Sequence, residues 1–450
     1  MSTHLQLRNS AADAALATPT QNRRRGTTAG FSYDFTCPSP ATYPFQWAWD
    51  SCFHAIALAH IDPPRARAEI ESLLHGIDDG FLPHMLLRQE ELRPQATAEF
   101  RIALWQGWKS VTLAPPVLAR AIERVFDICP DEQWLARVVP AACRFYDWLH
   151  ATRRTACGLL AIYQPDESGL DMSPKYDAAL GVRTGLDPQV SRSWHARMRE
   201  LLDAYSTDRR PTAALGELRR FHWADVLFNT IYADGLIRLG RLVTAREDLA
   251  HNNPGRFAQR AQQISAALLR ECWNQEGGGV FDDIDLVTKR RERTVTISSL
   301  FPLILESTPD SAARRLIDEH LTNPDEFWLP YPVPSVAAGE PSFDATFATE
   351  GIFRGSSWIN LNWYLYWGLR ERGEHGSAAV LAQRTIAAVA ASGTRECYGP
   401  YDAAGHGARS FGSSTLVLDL IAAEPGAAVP ATHTPEPSPL PMPVPAGERT

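Results

Sequence analysis

The chain has 450 residues, of which 44% are hydrophobic and 21% charged, and it contains 13 tryptophans, so general disorder is excluded and a large core is indicated. Its net charge is -8 and its basic residues are interspersed with acidic ones, which argues against a nucleic acid partner. No window approaches 18 uninterrupted apolar residues, and residues 1–30 lack the apolar segment of a signal peptide, so we expect neither membrane insertion nor export.

Flexible tails are predicted at both ends of the chain. Residues 1–28 are polar and rich in Ala and Thr, and residues 425–450 alternate proline with small residues. The stretch between them, residues 29–424, is expected to form one domain.

Helical periodicity runs through the whole of this domain. One clear case has apolar residues that recur every three or four positions, with Asp131 as a plausible N-cap: Leu135, Val138, Val139, Ala142, Phe145, Tyr146 and Leu149. Similar stretches lie near 51–61, 65–78, 97–108, 115–127, 194–206, 222–242, 247–275, 296–305, 310–321, 357–372, 376–391 and 411–423. The sequence indicates hardly a strand apart from 278–282. The series of helical stretches therefore predicts an all-α fold in which paired helices form a closed double ring. A right-angled helical bundle would give the same periodicities.

Cysteine and histidine spacing indicates no metal site. The seven cysteines are odd in number, widely spaced and free of any Cys-x-x-Cys pair, and the 13 histidines show no His-Glu-x-x-His spacing. This pattern is typical of reduced, mostly buried thiols, and it predicts a cytoplasmic location.

The first informative loop contains Tyr43, Trp47, Trp49 and Asp50. Aromatic faces beside a carboxylate suit a sugar, which has apolar C–H faces and a rim of hydroxyls. The alternative is that Asp50 caps the following helix while the tryptophans fill the core.

The second loop, residues 163–177, places four acidic residues among prolines, glycine and serines, a composition that breaks a helix. Asp171 is the candidate catalytic carboxylate there, although solvated turn caps give the same pattern.

The third loop offers Gly355 and Trp358 at a helix start. The fourth loop places Glu396 before a Gly-Pro turn, where a surface glutamate is the alternative. Together Asp171 and Glu396 fit glycoside cleavage, which needs one protonated and one ionised carboxyl group.

Four runs in this order resemble glycoside hydrolase family 63, in particular its bacterial mannosylglycerate and glucosylglycerate hydrolases. The runs are Phe45-Gln-Trp-Ala-Trp-Asp-Ser-Cys-Phe-His, Glu167-Ser-Gly-Leu-Asp-Met-Ser-Pro, Arg354-Gly-Ser-Ser-Trp-Ile-Asn-Leu-Asn-Trp and Glu396-Cys-Tyr-Gly-Pro. The resemblance covers roughly residues 30–423. It implies an (α/α)6 barrel and an inverting mechanism with Asp171 as general acid and Glu396 as general base. By the same resemblance the cleaved sugar is held by Tyr43, Trp47, Trp49, Asp50, Gly169, Gly355 and Trp358.

This chain also departs from the family pattern near the expected substrate. Leu170, Met172, Ala114, Ile352 and Phe353 stand where the family usually has Trp, Asn, Gln, Tyr and Trp. The changes remove hydrogen-bonding groups or large aromatic rings while both carboxylates remain, which indicates retained hydrolysis with an altered, more apolar aglycone or a different sugar.

We therefore predict hydrolysis of a small α-glucoside or α-mannoside without any cofactor, because this chemistry requires only carboxylates and shape. Alternatives are a trehalase-like or oligosaccharide α-glucosidase of the same fold and a catalytically silent sugar-binding protein. The oligomeric state is not indicated by the sequence. One further hypothesis is that a polar loop with Tyr205, Arg209 and Arg210 closes over an acidic aglycone.

Overall fold

The structure, a computed structural model, describes residues 2–28, 30–100, 105–208, 220–246, 249 and 253–424. These residues are mostly helical. The α-helices are α1 (Ser2–Gln21), α2 (Ala48–Ala59), α3 (Pro63–Leu74), α4 (Arg93–Phe100), α5 (Leu118–Ile128), α6 (Glu132–Arg153), α7 (Asp177–Leu180), α8 (Gln189–Asp208), α9 (Val226–Thr244), α10 (Pro254–Ala267), α11 (Asp310–Arg315), α12 (Ile359–Glu371), α13 (His375–Ser392) and α14 (Val417–Ala423).

The described residues also form 3₁₀ and π helical segments. The 3₁₀ segments are Glu90–Leu92, Pro165–Ser168, Pro174–Tyr176, Ile297–Ile304 and Gly412–Leu416, and the π segments are Leu268–Cys272 and Leu316–Leu321. Predicted helices over 296–305 and part of 411–423 are therefore 3₁₀ in character. The two π segments continue α10 and α11, as the periodicity over 247–275 and 310–321 indicates.

Six helical segments pack side by side at the centre of the molecule. In sequence order they are α2, α5, α9, Ile297–Ile304, α12 and Gly412–Leu416; each contacts the next, and the sixth contacts the first. All twelve residues of α2 are buried, including the polar Asp50, Ser51 and His54. Partners lie against these segments from outside: α3, α6, α10, the helix from α11 into its π segment, α13 and α1.

The N-terminal segment is an ordered part of this arrangement. Helix α1 packs on α13, α14 and Gly412–Leu416, and its buried contact residues include Ala11, Ala12 and Ala15. The prediction of a flexible tail over 1–28 is therefore wrong for residues 2–28. Small alanine side chains allow close helix packing but give little apolar periodicity, which explains the error. The predicted tail at 425–450 lies outside the described residues.

Short strands occur at the ends of the helices. They are β1 (Arg23–Thr28), β2 (Phe31–Thr36), β3 (Gln46–Trp47), β4 (Met85–Leu86), β5 (Trp105–Gln106), β6 (Lys109–Ser110), β7 (Trp223–Ala224), β8 (Trp273–Asn274), β9 (Val280–Phe281), β10 (Asp283–Asp285), β11 (Arg290–Glu292), β12 (Arg395–Tyr398) and β13 (Gly405–Arg409). Their largest sheet has the order β3-β4-β6-β5. The expected strand at 278–282 corresponds to β9, but the helix predicted over 97–108 ends at Phe100 and is followed by β5.

Local signals place helix starts as the sequence predicts. The Asp131 carboxylate accepts a hydrogen bond from the Trp134 N–H at 2.9 Å, which confirms it as the N-cap of α6. Asp225 caps α9 in the same way through the Phe228 N–H at 2.7 Å. Across the described ranges, no helix is both long and apolar enough for a membrane span.

The cysteines agree with the expectation of reduced, mostly buried thiols. All seven are unpaired, five of them are buried, and Cys129 and Cys157 are half-buried.

Candidate active site

A cavity of about 530 Å³ brings the four predicted loops together. Its wall contains eight of the nine residues that the sequence assigns to the site: Tyr43, Trp47, Trp49, Asp50, Gly169, Asp171, Trp358 and Glu396. Residues separated by more than 350 positions in sequence thus line one space.

Asp50 lies at the junction of β3 and α2. Asp50 lies in the first turn of α2, whose N-cap is Trp47, and its carboxylate accepts a hydrogen bond from Ser413 Oγ at 2.8 Å. The carboxyl group is buried, which raises its pKa; the neighbouring His54 and the Ser413 hydroxyl oppose that shift. Asp50 is therefore not the N-cap, and it lines the cavity as a carboxylate held by a hydroxyl.

Glu396 lies on β12 and is surrounded by hydrogen-bond donors. The Tyr43 hydroxyl donates to Oε1 at 3.0 Å, and the Ala408 backbone N–H donates to Oε2 at 2.7 Å. Burial raises the pKa of Glu396, while both donors favour the ionised form and limit the shift. Gly407 permits this geometry: a Cβ there would lie 2.3 Å from Oε2, and its φ is +62°.

Asp171 has the opposite electrostatic environment. Burial raises the pKa of this carboxyl group well above its ordinary value, and the neighbouring Asp166, Glu396 and Asp50 raise it further. No side-chain donor from the described residues offsets these effects at Asp171. The surroundings of Asp171 thus favour its protonated form, whereas the two donors to Glu396 favour its ionised form.

Of the two acidic residues near Asp171 in sequence, only Asp166 faces the cavity. Burial and the neighbouring Glu167 raise the pKa of Asp166 to about 7. Glu167 points away into a fully buried ion pair with Arg153, with N–O distances of 2.7 and 2.9 Å. It also accepts hydrogen bonds from two backbone N–H groups, so it anchors the loop.

A second buried ion pair fixes the other end of the Asp171 loop. Arg354 donates to both oxygens of Asp177 at 3.0 and 2.6 Å and to the carbonyl oxygen of Met172 at 2.9 Å. The arginine therefore links the loop that carries Trp358 to the residue immediately after Asp171.

The third loop contributes aromatic surface. Trp358 stacks on Phe353 with ring centroids 3.9 Å apart, and its buried indole N–H has no hydrogen-bond partner among the described residues. That N–H is a donor available to a sugar hydroxyl. Gly355 is absent from the cavity wall: its φ is +154°, and a Cβ would lie 2.5 Å from the Asp344 carbonyl oxygen. The glycine therefore permits close approach of two backbone segments, and its assignment to the sugar site stays a prediction.

Gly169 is required by the packing behind the sugar pocket. It ends the turn Pro165–Ser168 with φ +75°, and a Cβ would lie 2.6 Å from the Trp49 ring. Only glycine combines this backbone conformation with such close contact to the tryptophan.

The five departures from the family pattern divide into two groups. Ile352 and Phe353 line the cavity, and Met172 lines a second cavity next to it. Leu170 is fully buried in the core, and Ala114 packs beside Pro115 and Pro116 away from both cavities. The last two therefore do not contact the substrate space.

The predicted closing loop at 205–210 begins within a helix. Tyr205 belongs to α8, is buried, and donates its hydroxyl proton to the Tyr163 carbonyl oxygen at 2.6 Å, so its prediction as a loop residue is wrong. Arg209 and Arg210 lie outside the described residues.

Several cavity residues were not identified from the sequence. They are Pro38, His84, Asn360, Phe411 and Ser413. His84 is buried, which lowers its pKa to about 3, so its ring is neutral. Nothing local in the sequence marks Ser413 or Phe411, because their proximity to Asp50 and Tyr43 depends on contacts between distant segments.

Comparisons with known proteins identify the family. Residues 43–414 match the family described as the mannosylglycerate hydrolase MGH1-like glycoside hydrolase domain. The mannosylglycerate hydrolase of Thermus thermophilus is 28% identical over 412 residues, which is 85% of this chain and 96% of that protein. The glucosylglycerate hydrolase of Mycolicibacterium hassiacum is 24% identical over 412 residues, 81% and 89% of the two chains.

A solved structure shows the same fold. The glycoside hydrolase family 63 mannosylglycerate hydrolase of Thermus thermophilus, in complex with Tris and D-glycerate, superposes with a TM-score of 0.77 at 26% identity. The match covers 91% of this chain and 99% of that structure. The chain therefore belongs to the mannosylglycerate hydrolase MGH1-like family of glycoside hydrolases.

Proposed function

We propose that the protein hydrolyses a small α-glucoside or α-mannoside with inversion of configuration, with Asp171 as general acid and Glu396 as general base. One observation carries the assignment: the two carboxyl groups share a cavity but differ in their partners. Asp171 is half-buried beside other carboxyl groups, whereas Glu396 accepts hydrogen bonds from Tyr43 and Ala408. A protonated acid opposite an ionised base is what glycoside hydrolysis requires.

The sequence of events follows from these environments. Asp171 donates its proton to the glycosidic oxygen as that bond breaks, and Glu396 removes a proton from the water that attacks the opposite face of the sugar. The proton from Asp171 leaves in the hydroxyl group of the aglycone; after release of the products, Glu396 loses its proton to solvent and Asp171 takes one up from solvent. For an inverting pair we predict a carboxyl separation of roughly 6.5 to 9.5 Å, which leaves room for the attacking water.

Binding of the sugar is assigned to the aromatic and polar wall. Trp47, Trp49 and Trp358 offer ring faces and indole edges to the C–H surfaces, and the Asp50 carboxylate accepts hydrogen bonds from hydroxyl groups. The relatives include both a mannosylglycerate hydrolase and a glucosylglycerate hydrolase, which supports a mannoside or a glucoside as the substrate.

The proposed architecture is an (α/α)6 barrel. The closed series of six central helical segments and the partner outside each of them support it. Seven unpaired thiols fit a reducing compartment, and we place the enzyme in the cytoplasm.

Variants of the two carboxyl groups test the mechanism. Asp171→Asn should lose about 10²- to 10⁴-fold in kcat on substrates with poor leaving groups, but much less on glycosyl fluorides, because fluoride needs little protonation. Glu396→Gln should lose activity on both kinds of substrate, and small external anions should restore part of it. Unchanged activity in either variant would remove that residue from the pair.

A substrate panel separates the alternatives. Turnover of α-linked disaccharides in preference to glycosides of small alcohols and acids would favour a trehalase-like or oligosaccharide α-glucosidase. Tight binding of sugars with no product from any substrate would favour the silent binding protein.

A further inference from the structure

Residues 345–353 carry part of the wall of the sugar cavity, and we refer to them as the wall loop. Its last two residues, Ile352 and Phe353, line the cavity, and the Phe353 ring stacks on Trp358 with centroids 3.9 Å apart. The wall loop contains no helix or strand residue. Regular secondary structure therefore does not fix where these two side chains lie.

One buried carboxyl group ties the wall loop together. Asp344 is 4% exposed, and its Oδ2 accepts hydrogen bonds from the backbone N–H and the hydroxyl group of Thr349, both at 2.7 Å. Its Oδ1 accepts hydrogen bonds from the backbone N–H groups of Ala348 at 3.0 Å and Thr346 at 3.2 Å. Burial alone would raise the pKa of Asp344, but these donors outweigh it and the pKa is lowered, so the ionised form is favoured.

The two ends of the wall loop are held beside each other. The Asp344 backbone N–H donates to the carbonyl oxygen of Arg354 at 2.7 Å. Gly351 lies against the Arg354 side chain, because a Cβ there would be 2.6 Å from Arg354 Cδ. Arg354 also donates to the Met172 carbonyl oxygen, so the wall loop is attached to the segment with the proposed catalytic acid.

The backbone of the wall loop has an unfavourable conformation at three non-glycine residues. The φ angles are +59° at Phe347, +55° at Glu350 and +58° at Phe353. Such left-handed conformations are rare for residues with a Cβ, and they persist where the surrounding structure imposes them. The hydrogen bonds to Asp344 supply this constraint, since three of their donors lie between Phe347 and Glu350.

The middle of the wall loop touches the strand pair that carries the proposed base. Phe347 stacks on His406 of β13 with ring centroids 5.0 Å apart. The same strand supplies the Ala408 backbone N–H that donates to Glu396. The wall loop thus packs on β13 through Phe347 and on Trp358 through its last residue.

We propose that Asp344 is a positioning residue of the sugar site: its carboxylate holds the wall loop in the conformation that presents Ile352 and Phe353 to the substrate. This assignment rests on the proposed function, because it takes the cavity as the sugar site. Asp344 does not line the cavity, so it acts through these two side chains. Without the carboxylate the loop is in this conformation for only part of the time, and the apparent affinity falls by the same fraction. Bound sugar restores the arrangement, so turnover of bound substrate changes little.

Asp344→Asn tests the assignment, because it keeps the size of the side chain and replaces one acceptor oxygen by an amide nitrogen that cannot accept. Mannosylglycerate and glucosylglycerate serve as substrates, and calorimetry measures the affinity for free mannose and glucose. We expect KM and the Kd of the sugar to rise about tenfold or more, with kcat changed less than about threefold. Unchanged KM and Kd, or a loss confined to kcat, would overturn the assignment.

Two further variants separate positioning from general stability. Asp285→Asn is the matched control: Asp285 accepts hydrogen bonds from the Val287 N–H at 2.8 Å and the Thr288 hydroxyl at 2.7 Å, and it does not line the sugar cavity. Its KM should stay unchanged. Thr349→Val removes only the hydroxyl donor and should raise KM about threefold, and the double variant with Asp344→Asn should raise KM by less than the product of the two factors. A KM rise in Asp285→Asn as large as in Asp344→Asn, or a double variant at the full product, would contradict the proposal.

Amide hydrogen exchange reports on the wall loop directly. In Asp344→Asn the N–H groups of Ala348 and Thr349 should exchange at least about tenfold faster than in the unmodified protein, while those of α12 and β12 keep their rates. Saturating sugar should restore part of this protection. Equal acceleration throughout the protein would make Asp344 a residue of general stability and overturn the assignment. If the unmodified protein hydrolyses neither glycoside, the proposed function fails, and the exchange rates together with the sugar affinities still decide the role of Asp344.

Discussion

Arg354→Met should uncouple the Asp171 loop from the rest of the site. Arg354 and Asp177 are 0% and 1% exposed, so solvent screening does little to reduce their interaction. Removing one partner of a buried, doubly hydrogen-bonded pair costs about 3–5 kcal/mol, because the other is left buried without compensation. We expect this loss of unfolding free energy at pH 8, measured by urea denaturation.

The loss should depend on pH with a definite sign. Burial already raises the pKa of Asp177, and Arg354 opposes that shift, so removing Arg354 leaves the folded-state pKa raised further above the unfolded value. A carboxyl group of this kind destabilises the folded state increasingly as pH rises from the unfolded toward the folded pKa. As the pH is lowered from 8 to 5, the difference in unfolding free energy between Arg354→Met and the unmodified protein should therefore become smaller.

A double variant supplies the control. Arg354→Met with Asp177→Asn removes both charges, so its cost should be at least about 2 kcal/mol smaller than the sum of the two single variants. The kcat of the folded Arg354→Met variant should also fall, because the hydrogen bond to the Met172 carbonyl oxygen is lost beside Asp171. A stability loss below about 1 kcal/mol at pH 8, or additive single variants, would refute this account of the loop.

Three further changes test the site. Asp50→Ala should weaken sugar binding by about 1.5–3 kcal/mol, read as a rise in KM or in the Kd of a sugar ligand, with little change in Tm; a collapse of Tm instead would make Asp50 a structural residue. Gly169→Ala should lower both stability and kcat/KM, because its Cβ would lie 2.6 Å from Trp49, whereas Gly181→Ala, with φ +66° and nothing within 4 Å, isolates the backbone strain alone. Asp171→Asn should unfold at higher urea than the unmodified protein at pH 8 and at nearly the same urea at pH 4, because the raised pKa of Asp171 makes its ionised form unfavourable only as pH rises. A gain in stability over the unmodified protein that is larger at pH 4 than at pH 8 would contradict this sign.

Much of the site follows from local sequence patterns. The cluster with Trp47, Trp49 and Asp50 and the helix-breaking loop around Asp171 are marked by residue types whose chemistry is evident without a structure. Helix α6 is also specified locally, through its apolar periodicity and the Asp131 cap.

The remaining features depend on contacts that local patterns do not encode. Asp166 and Glu167 are adjacent acidic residues, and only the buried Arg153 decides that Glu167 anchors the loop while Asp166 faces the cavity. Helix α1 was predicted as a tail because Ala11, Ala12 and Ala15 on its packing surface give little apolar periodicity. Gly355 illustrates the same point, since the backbone that it approaches closely belongs to the distant Asp344.

The anomeric configuration of the first product tests the central claim most directly. Proton NMR of the sugar released from an α-glycoside, recorded before mutarotation, reports which face was attacked. The inverting pair of Asp171 and Glu396 predicts that the β-anomer forms first and then relaxes to the equilibrium mixture. Initial formation of the α-anomer would contradict the proposed mechanism.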